Sequence, residues 1–431
     1  MFRKSREFWL LLLLMLLAGS SFAIQRFPRP EFETGYQQPE TMLPGPRAEI
    51  MAVVDLAVLI LALSAVSWMV LKKRSRKGVF WVSMFSLVYF GFYREGCICA
   101  VGSVQNVTLA LFDPTYPIPL TVLAFFIIPL IFTLFFGRTF CAGVCPFGAM
   151  QDLVAFRPKT INSKVDAALG MMPYLYLGLA VLFAATGTDF IICRYDPFVG
   201  IFRINAGFSM LLFAAILLLT GIFIARPYCR YLCPYGVLLN WISRFSYRHM
   251  TITPAECINC RLCENSCPYG AIKIPNSVKY AETRRQRVRK LMFITLLFPF
   301  LMVGGGWAGS RLQETFAGVN RTVKLAKELL VSDQNGQDVE SFEIKAFRSS
   351  GKPLTEVYQE ARIILHRFLI GGWILGAFLG LTTGLMVAGK LLENHQSDYV
   401  PDKGACLSCA RCTDYCPVMG NTMPTELNHK A

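Results

Sequence analysis

Fifteen cysteines in a chain of 431 residues set the chemical problem. Eight fall in two runs of one spacing: Cys257, Cys260, Cys263 and Cys267 before Pro268, and Cys406, Cys409, Cys412 and Cys416 before Pro417. This C-x2-C-x2-C-x3-C-P spacing wraps three thiolates around one face of a cubane [4Fe-4S] cluster and sends the fourth, ahead of the proline, to a neighbouring cluster. Zinc ribbons lack that spacing, and a reducing compartment disfavours disulfides. The pattern predicts two clusters, one held by Cys257, Cys260, Cys263 and Cys416, the other by Cys406, Cys409, Cys412 and Cys267. Two runs separated by 138 residues must then meet in space.

Four more cysteines form a second repeat. Arg138-Thr-Phe-Cys141-Ala-Gly-Val-Cys145-Pro146-Phe-Gly148 returns 88 residues later as Arg226-Pro-Tyr-Cys229-Arg-Tyr-Leu-Cys233-Pro234-Tyr-Gly236. In a parallel repeat related by an axis along the membrane normal, equivalent residues approach each other, so Cys141, Cys145, Cys229 and Cys233 are candidates for a further metal centre. The last three cysteines, Cys97, Cys99 and Cys193, lie elsewhere. Cys99-Ala-Val-Gly102-Ser-Val-Gln105-Asn106 echoes Cys145-Pro-Phe-Gly148-Ala-Met-Gln151-Asp152, and Cys193 precedes a related element, Pro197-Phe-Val-Gly200. These three are candidates for a metal centre near the outer face. The alternatives are a periplasmic disulfide and buried thiols acting as small apolar groups.

What positions these residues is a set of membrane helices. Hydrophobic residues make up 54% of the chain and charged residues 16%, where a soluble domain holds about 25% charged. Seven apolar runs approach or reach the ~20 residues needed to cross a bilayer: Ile50 to Leu71, Val79 to Tyr93, Pro117 to Phe136, Gly170 to Thr188, Ala206 to Ala225, Leu291 to Gly309 and Phe368 to Ala388. An eighth, within residues 1–24, reads as a signal peptide or an anchor helix. Segment 25–49 is periplasmic in either case. Residues 50–248 are the membrane core with the two hairpin repeats, and 249–290 the first ferredoxin half. Residues 291–388 form a hairpin with an outer loop, 310–367, and 389–431 the second half. That loop carries amphipathic stretches at Val319 to Leu330 and Leu354 to Leu365, suited to docking a partner or to a solvated linker.

Charge sets the expected orientation. Of the 43 Lys and Arg behind the net charge of +15, 28 lie in the segments that alternate threading puts together with the cluster motifs. By the positive-inside rule that side is cytoplasmic. The surplus is therefore an orientation signal, with no nucleic-acid partner required. The basic run Arg284, Arg285, Arg287, Arg289 and Lys290 reads as an anchor against anionic lipid. The expected fold is an all-α polytopic membrane protein of seven or eight helices with a split cytoplasmic 2[4Fe-4S] ferredoxin module, in a bacterial inner membrane.

Two C-x3-C-P repeats on membrane hairpins, followed by a ferredoxin run, resemble the membrane polyferredoxins of the NosR, NapH and CcoG group. The resemblance covers roughly Glu95 to Ile274, with Cys406 to Pro417 as the second half. It implies electron transfer between the cytoplasmic side or the quinol pool and a periplasmic redox protein or flavoprotein. The alternative it implies is copper reduction or redox sensing of the CcoG type. NosR-like proteins also carry a periplasmic domain with a covalently flavinylated threonine; no such acceptor motif occurs here, so no covalent flavin is expected. The four His include none after a C-x-x-C and no intramembrane pair, which argues against haem. Asp55, inside the first span, and His366 are candidates for quinol chemistry. An interfacial carboxylate and a structural histidine are the plainer readings.

Overall fold

The computed structural model describes residues 49–96, 99–156, 158, 161–252, 260–275, 284–335, 342–349, 353–391 and 399–417. The N-terminal signal or anchor, Cys97 and Cys257 lie outside them. Residues 1–53 form one unit, to which the first turn of helix α1 belongs, and Val54 to Ala431 form the other.

Apolar composition on all sides makes a helix fit for lipid or for the interior of a bundle. Among the described residues, four helical stretches are long and apolar enough to cross a membrane: Ile50–Lys73, Val165–Ala185, Val288–Arg311 and Leu354–Gly389. The first is α1 (Glu49–Trp68) with a π-helical turn, Met69–Lys73. Next come α2 (Arg76–Ser86), also extended by a π turn (Leu87–Tyr93), then α3 (Ala100–Phe112) and α4 (Leu120–Phe136). The first repeat follows as two short helices, α5 (Thr139–Gly143) and α6 (Pro146–Val154). Then come α7 (Ser163–Leu169), α8 (Met172–Ala185), α9 (Ile191–Tyr195), α10 (Pro197–Phe202) and α11 (Phe208–Gly221). The second repeat is α12 (Pro227–Tyr231) and α13 (Pro234–Ser243). Helices stand at all seven expected spans, but α2 with its π turn, α4 and α11 are not among the four long and apolar enough to cross.

Past α14 (Leu262–Ser266), the hairpin runs down α15 (Arg284–Arg311) and returns along α19 (Leu354–Leu391). Small residues let two membrane helices approach closely. Gly305 and Gly309 of α15 face Gly372, Gly376 and Gly380 of α19 so closely that an added Cβ on any of the five would meet backbone atoms of the other helix. Between the two helices lie α16 (Gln313–Ala317), α17 (Arg321–Asn335) and α18 (Phe342–Ser349). The stretch read as a second amphipathic loop segment is instead the start of α19. Its buried Val357, Ala361 and Phe368 pack with Val323, Ala326 and Leu329 of α17 and with Ile344 and Phe347 of α18. Their helical spacing continues the membrane helix outward as the wall of a small apolar cap.

Candidate functional site: two thiol-bearing repeats under a split ferredoxin fold

The two ferredoxin runs meet. Strand β1 (Ile272–Lys273) pairs antiparallel with β2 (Val400–Pro401), Ile272 opposite Pro401. The Asp402 amide donates to Ala271 O at 2.7 Å, and Lys273 Nζ lies 2.9 Å from Asp402 Oδ2. Asp402 also opens the second cysteine loop by accepting the amides of Gly404 and Ala405 at 2.9 and 3.0 Å. Burial opposes its charge, but the Lys273 bond and these amides hold its carboxyl below the usual range. The short helix α20 (Arg411–Asp414) closes the loop and touches α14 of the first half.

Cys267 from the first run lines one cavity with Cys406, Cys409 and Cys412 from the second. Positive φ at Gly270 (61°), Ser408 (52°) and Ala410 (58°) curls these loops. Amides turn toward sulfur as a result: Ala271 N–H to Cys267 Sγ and Ser408 N–H to Cys406 Sγ, both at 3.4 Å. Four thiols around one cavity, two of them served by amide donors, match the donor set that a thiolate-ligated iron–sulfur cluster requires. Burial pushes the Cys406 thiol up to about 12, so ligation of a metal by its thiolate would release a proton. Of the other predicted set, Cys263 is buried beside Ile252, Ile272 and Tyr399, Cys260 is exposed and Cys416 half-buried. Among the described residues no three His, Cys, Asp or Glu side chains are drawn close enough to hold a single ion. A cubane asks for wider spacing, because each thiolate binds a different iron at a different corner.

Below lie the repeats. Cys145 and Cys233 cap helices α6 and α13, each followed by a proline in the first turn, where the missing N–H costs nothing. Both are followed three residues on by a glycine, Gly148 and Gly236, and the Gly236 amide donates to Cys233 Sγ at 3.3 Å. Cys141, Cys145 and Cys233 are buried and Cys229 is half-buried. Burial pushes the Cys145 and Cys233 thiols up, and the neighbouring cysteines of the two repeats add to it.

The spacing rules in the sequence did not single out the arginine that opens each repeat. Arg226, fully buried, donates from Nε and Nη2 to the Asp152 carboxylate, both at 2.8 Å, and to the carbonyls of Cys141 and Ala142. Asp152 also takes Arg76 at 2.8 Å. The Arg226 guanidinium lies 5.9 Å from the ring centre of Tyr269, two residues beyond Cys267. Arg138 in the first repeat donates to Gly404 O at 3.0 Å, two residues before Cys406. One arginine from each repeat thus holds one half of the ferredoxin. A cavity of about 280 Å³ between the layers is lined by Arg138, Arg226, Cys229, Cys233, Tyr269 and Leu407 among others.

The quinol candidates fare differently. Asp55 is fully buried, 2.7 Å from Arg94 and accepting from Tyr89 at 2.9 Å. That is an internal ion pair of the kind intramembrane charges adopt. His366 is exposed on α19.

Two sequence profiles, each described as a 4Fe-4S binding domain, match this chain. One matches twice, over residues 118–164 and 206–253, which are the two repeats, and the other matches 250–273. Relatives include the uncharacterised protein MJ0749 of Methanocaldococcus jannaschii, 31% identical over 37% of this chain and 62% of its own. The regulatory protein NosR of Stutzerimonas stutzeri is 28% identical over 49% and 31%, respectively. The methylamine utilization ferredoxin-type protein MauN of Paracoccus denitrificans is 29% identical over 35% and 54%. The chain spans less than two thirds of the length of each of these three. No solved structure matches it. Fold and site together define a helical membrane protein with 4Fe-4S binding domains. Within that class the chain is similar to the NosR/NapH-type 4Fe-4S membrane proteins.

Proposed function

We propose that this protein carries electrons across the membrane, between the side bearing the ferredoxin module or the quinol pool and a redox protein on the other side, as in NosR- and NapH-type respiratory systems. In this reading Cys257, Cys260, Cys263 and Cys416 hold one [4Fe-4S] cluster and Cys406, Cys409, Cys412 and Cys267 a second, with the ferredoxin module facing the cytoplasm. Cys141, Cys145, Cys229 and Cys233 hold a further iron–sulfur centre beneath them. The clusters supply reversible one-electron chemistry at thiolate-bound iron. The chain's own residues set the spacing of the centres, exclude water and direct amide donors at sulfur.

The observation that carries the reading is the arginine clamp. Arg226 beneath Tyr269 and Arg138 beneath Gly404 lock both ferredoxin halves onto the repeats that bear the other four thiols. A hydrocarbon core of ~30 Å is too thick for one efficient tunnelling step. Stacked centres divide it.

Liposomes containing the full chain, dithionite outside and cytochrome c inside, test this. Cytochrome reduction is expected to depend on the protein and to fall at least tenfold in Cys145→Ser/Cys233→Ser while the ferredoxin signals persist. Equal rates in protein-free liposomes or in that variant would contradict it.

A further inference from the structure

The site on the repeats has a copy elsewhere in the core. Cys145 caps α6; six residues on, Gln151 Oε1 accepts the amide of Tyr228, the residue before Cys229, at 2.9 Å. The same side chain donates from Nε2 to Cys229 Sγ at 3.3 Å. Cys99 caps α3 with its backbone extended, as Cys145 does α6, and each is followed three residues on by a glycine in the first turn, Gly102 and Gly148. Six residues on, Gln105 Oε1 accepts the amide of Ile192, the residue before Cys193, at 2.9 Å. Cys99, Gln105 and Cys193 thus repeat the parts and connections of Cys145, Gln151 and Cys229.

Two features of the copy point to a ligand. Gln105 is fully buried and, among the described residues, its Nε2 has no hydrogen-bond partner, where the counterpart nitrogen serves a cysteine sulfur. A buried donor left unmet is costly, so this one points to an acceptor such as a metal-bound thiolate. A cavity of about 90 Å³, several times what a water needs, is lined by Cys99, Gly102, Asn106, Cys193, Asp196 and Arg203 among others. Gly102 leaves room there: a Cβ would stand 3.1 Å from Cys193 Sγ.

Asp196 does not offer a free carboxylate. It caps α10, accepting the amides of Phe198 and Val199, and takes the Tyr228 hydroxyl at 2.5 Å. Its role is linkage, since Tyr228 adjoins Cys229, and its ring packs on Phe147 and Phe198 at 5.7 and 5.2 Å between centres. One tyrosine therefore joins the two thiol sites.

We infer that Cys99 and Cys193 hold a second thiolate-bound redox metal, a soft ion such as iron or copper, connected through Tyr228 to the centre on the repeats. The inference rests on reading Cys141, Cys145, Cys229 and Cys233 as cluster ligands. Transfer between the two is a one-electron exchange: the metal of one centre is oxidised by one unit as the other is reduced, with no bond made and no proton required.

The test is iron, copper and acid-labile sulfide analysis with paramagnetic resonance on the purified full chain. Cys99→Ser/Cys193→Ser is expected to lose one metal centre and its signal while the others persist, and whether iron or copper falls identifies the metal. Gln105→Leu, which keeps both thiols and the buried volume, is expected to shift that centre's signal and reduction potential. A purely structural glutamine would change stability alone. Unchanged metal content and spectra in both variants would overturn the inference. Unchanged metal content in Cys145→Ser/Cys233→Ser would instead overturn the reading of the repeats, so the two failures are distinguishable.

Discussion

Replacing Arg226 with methionine is expected to destabilise the protein by about 3–5 kcal/mol, the cost of breaking a buried ion pair from one side. Arg226 is fully buried and Asp152 nearly so, and the substitution leaves that carboxylate with Arg76 alone. It also strips two donors from the carbonyls of Cys141 and Ala142. Adding Asp152→Asn should recover part of the loss, because an amide carries no uncompensated charge. Thermal unfolding of the detergent-solubilised protein measures both. A loss below about 1 kcal/mol would place the pair among the weak, solvent-screened kind and deny it a clamping role. The equivalent position in the other repeat holds Asn240 in place of Asp152, and Arg138 is correspondingly turned to Gly404. Arg138→Met is accordingly the milder lesion.

The second large effect belongs to the hairpin. Gly376→Leu places a side chain where the backbone of Gly305 stands, so α15 and α19 must separate along their contact. Ordinary overpacking costs about 1–3 kcal/mol, and this contact is backbone against backbone, with no rotamer to give way. The loss should reach or exceed the top of that range, and the second ferredoxin half, carried on the end of α19, should lose its cluster first. Gly304→Ala makes the control: a Cβ there meets nothing within 4 Å, and alanine is the better helix former by up to about 1 kcal/mol. Cluster absorbance during thermal unfolding reads both. Equal behaviour of the two variants would refute the close glycine contact.

The chemistry was more legible in the sequence than the packing. Thiol spacing is local, so the doubled ferredoxin run and the C-x3-C-P repeat stand out in one dimension, as do apolar runs near bilayer length. The hydrogen-bond partners of Arg226 lie 74 and more residues away, and no local pattern announces an ion pair that forms only when one repeat folds against the other. Asp55 shows the reverse case: an intramembrane acid invites a functional reading, and only the fold brings Arg94 and Tyr89 to it. The echo between residues 99–106 and 145–152 is visible in the sequence. That its glutamine reaches the amide before a distant cysteine is visible only in three dimensions. Leu354 to Leu365 misled for another reason: amphipathic spacing fits a loop helix and the emergent end of a membrane helix equally well.

The central claim is that one ferredoxin module is built from both ends of the hairpin and exchanges its fourth ligands. Paramagnetic resonance with iron and sulfide counts on the dithionite-reduced full chain, comparing wild type with Cys267→Ser, Cys409→Ser and Cys260→Ser, tests it most directly. The prediction is at least about eight irons per chain and a Cys267→Ser spectrum that loses the same cluster as Cys409→Ser, leaving the one that Cys260→Ser removes. Fewer irons, or a Cys267→Ser spectrum matching that of Cys260→Ser, would contradict it.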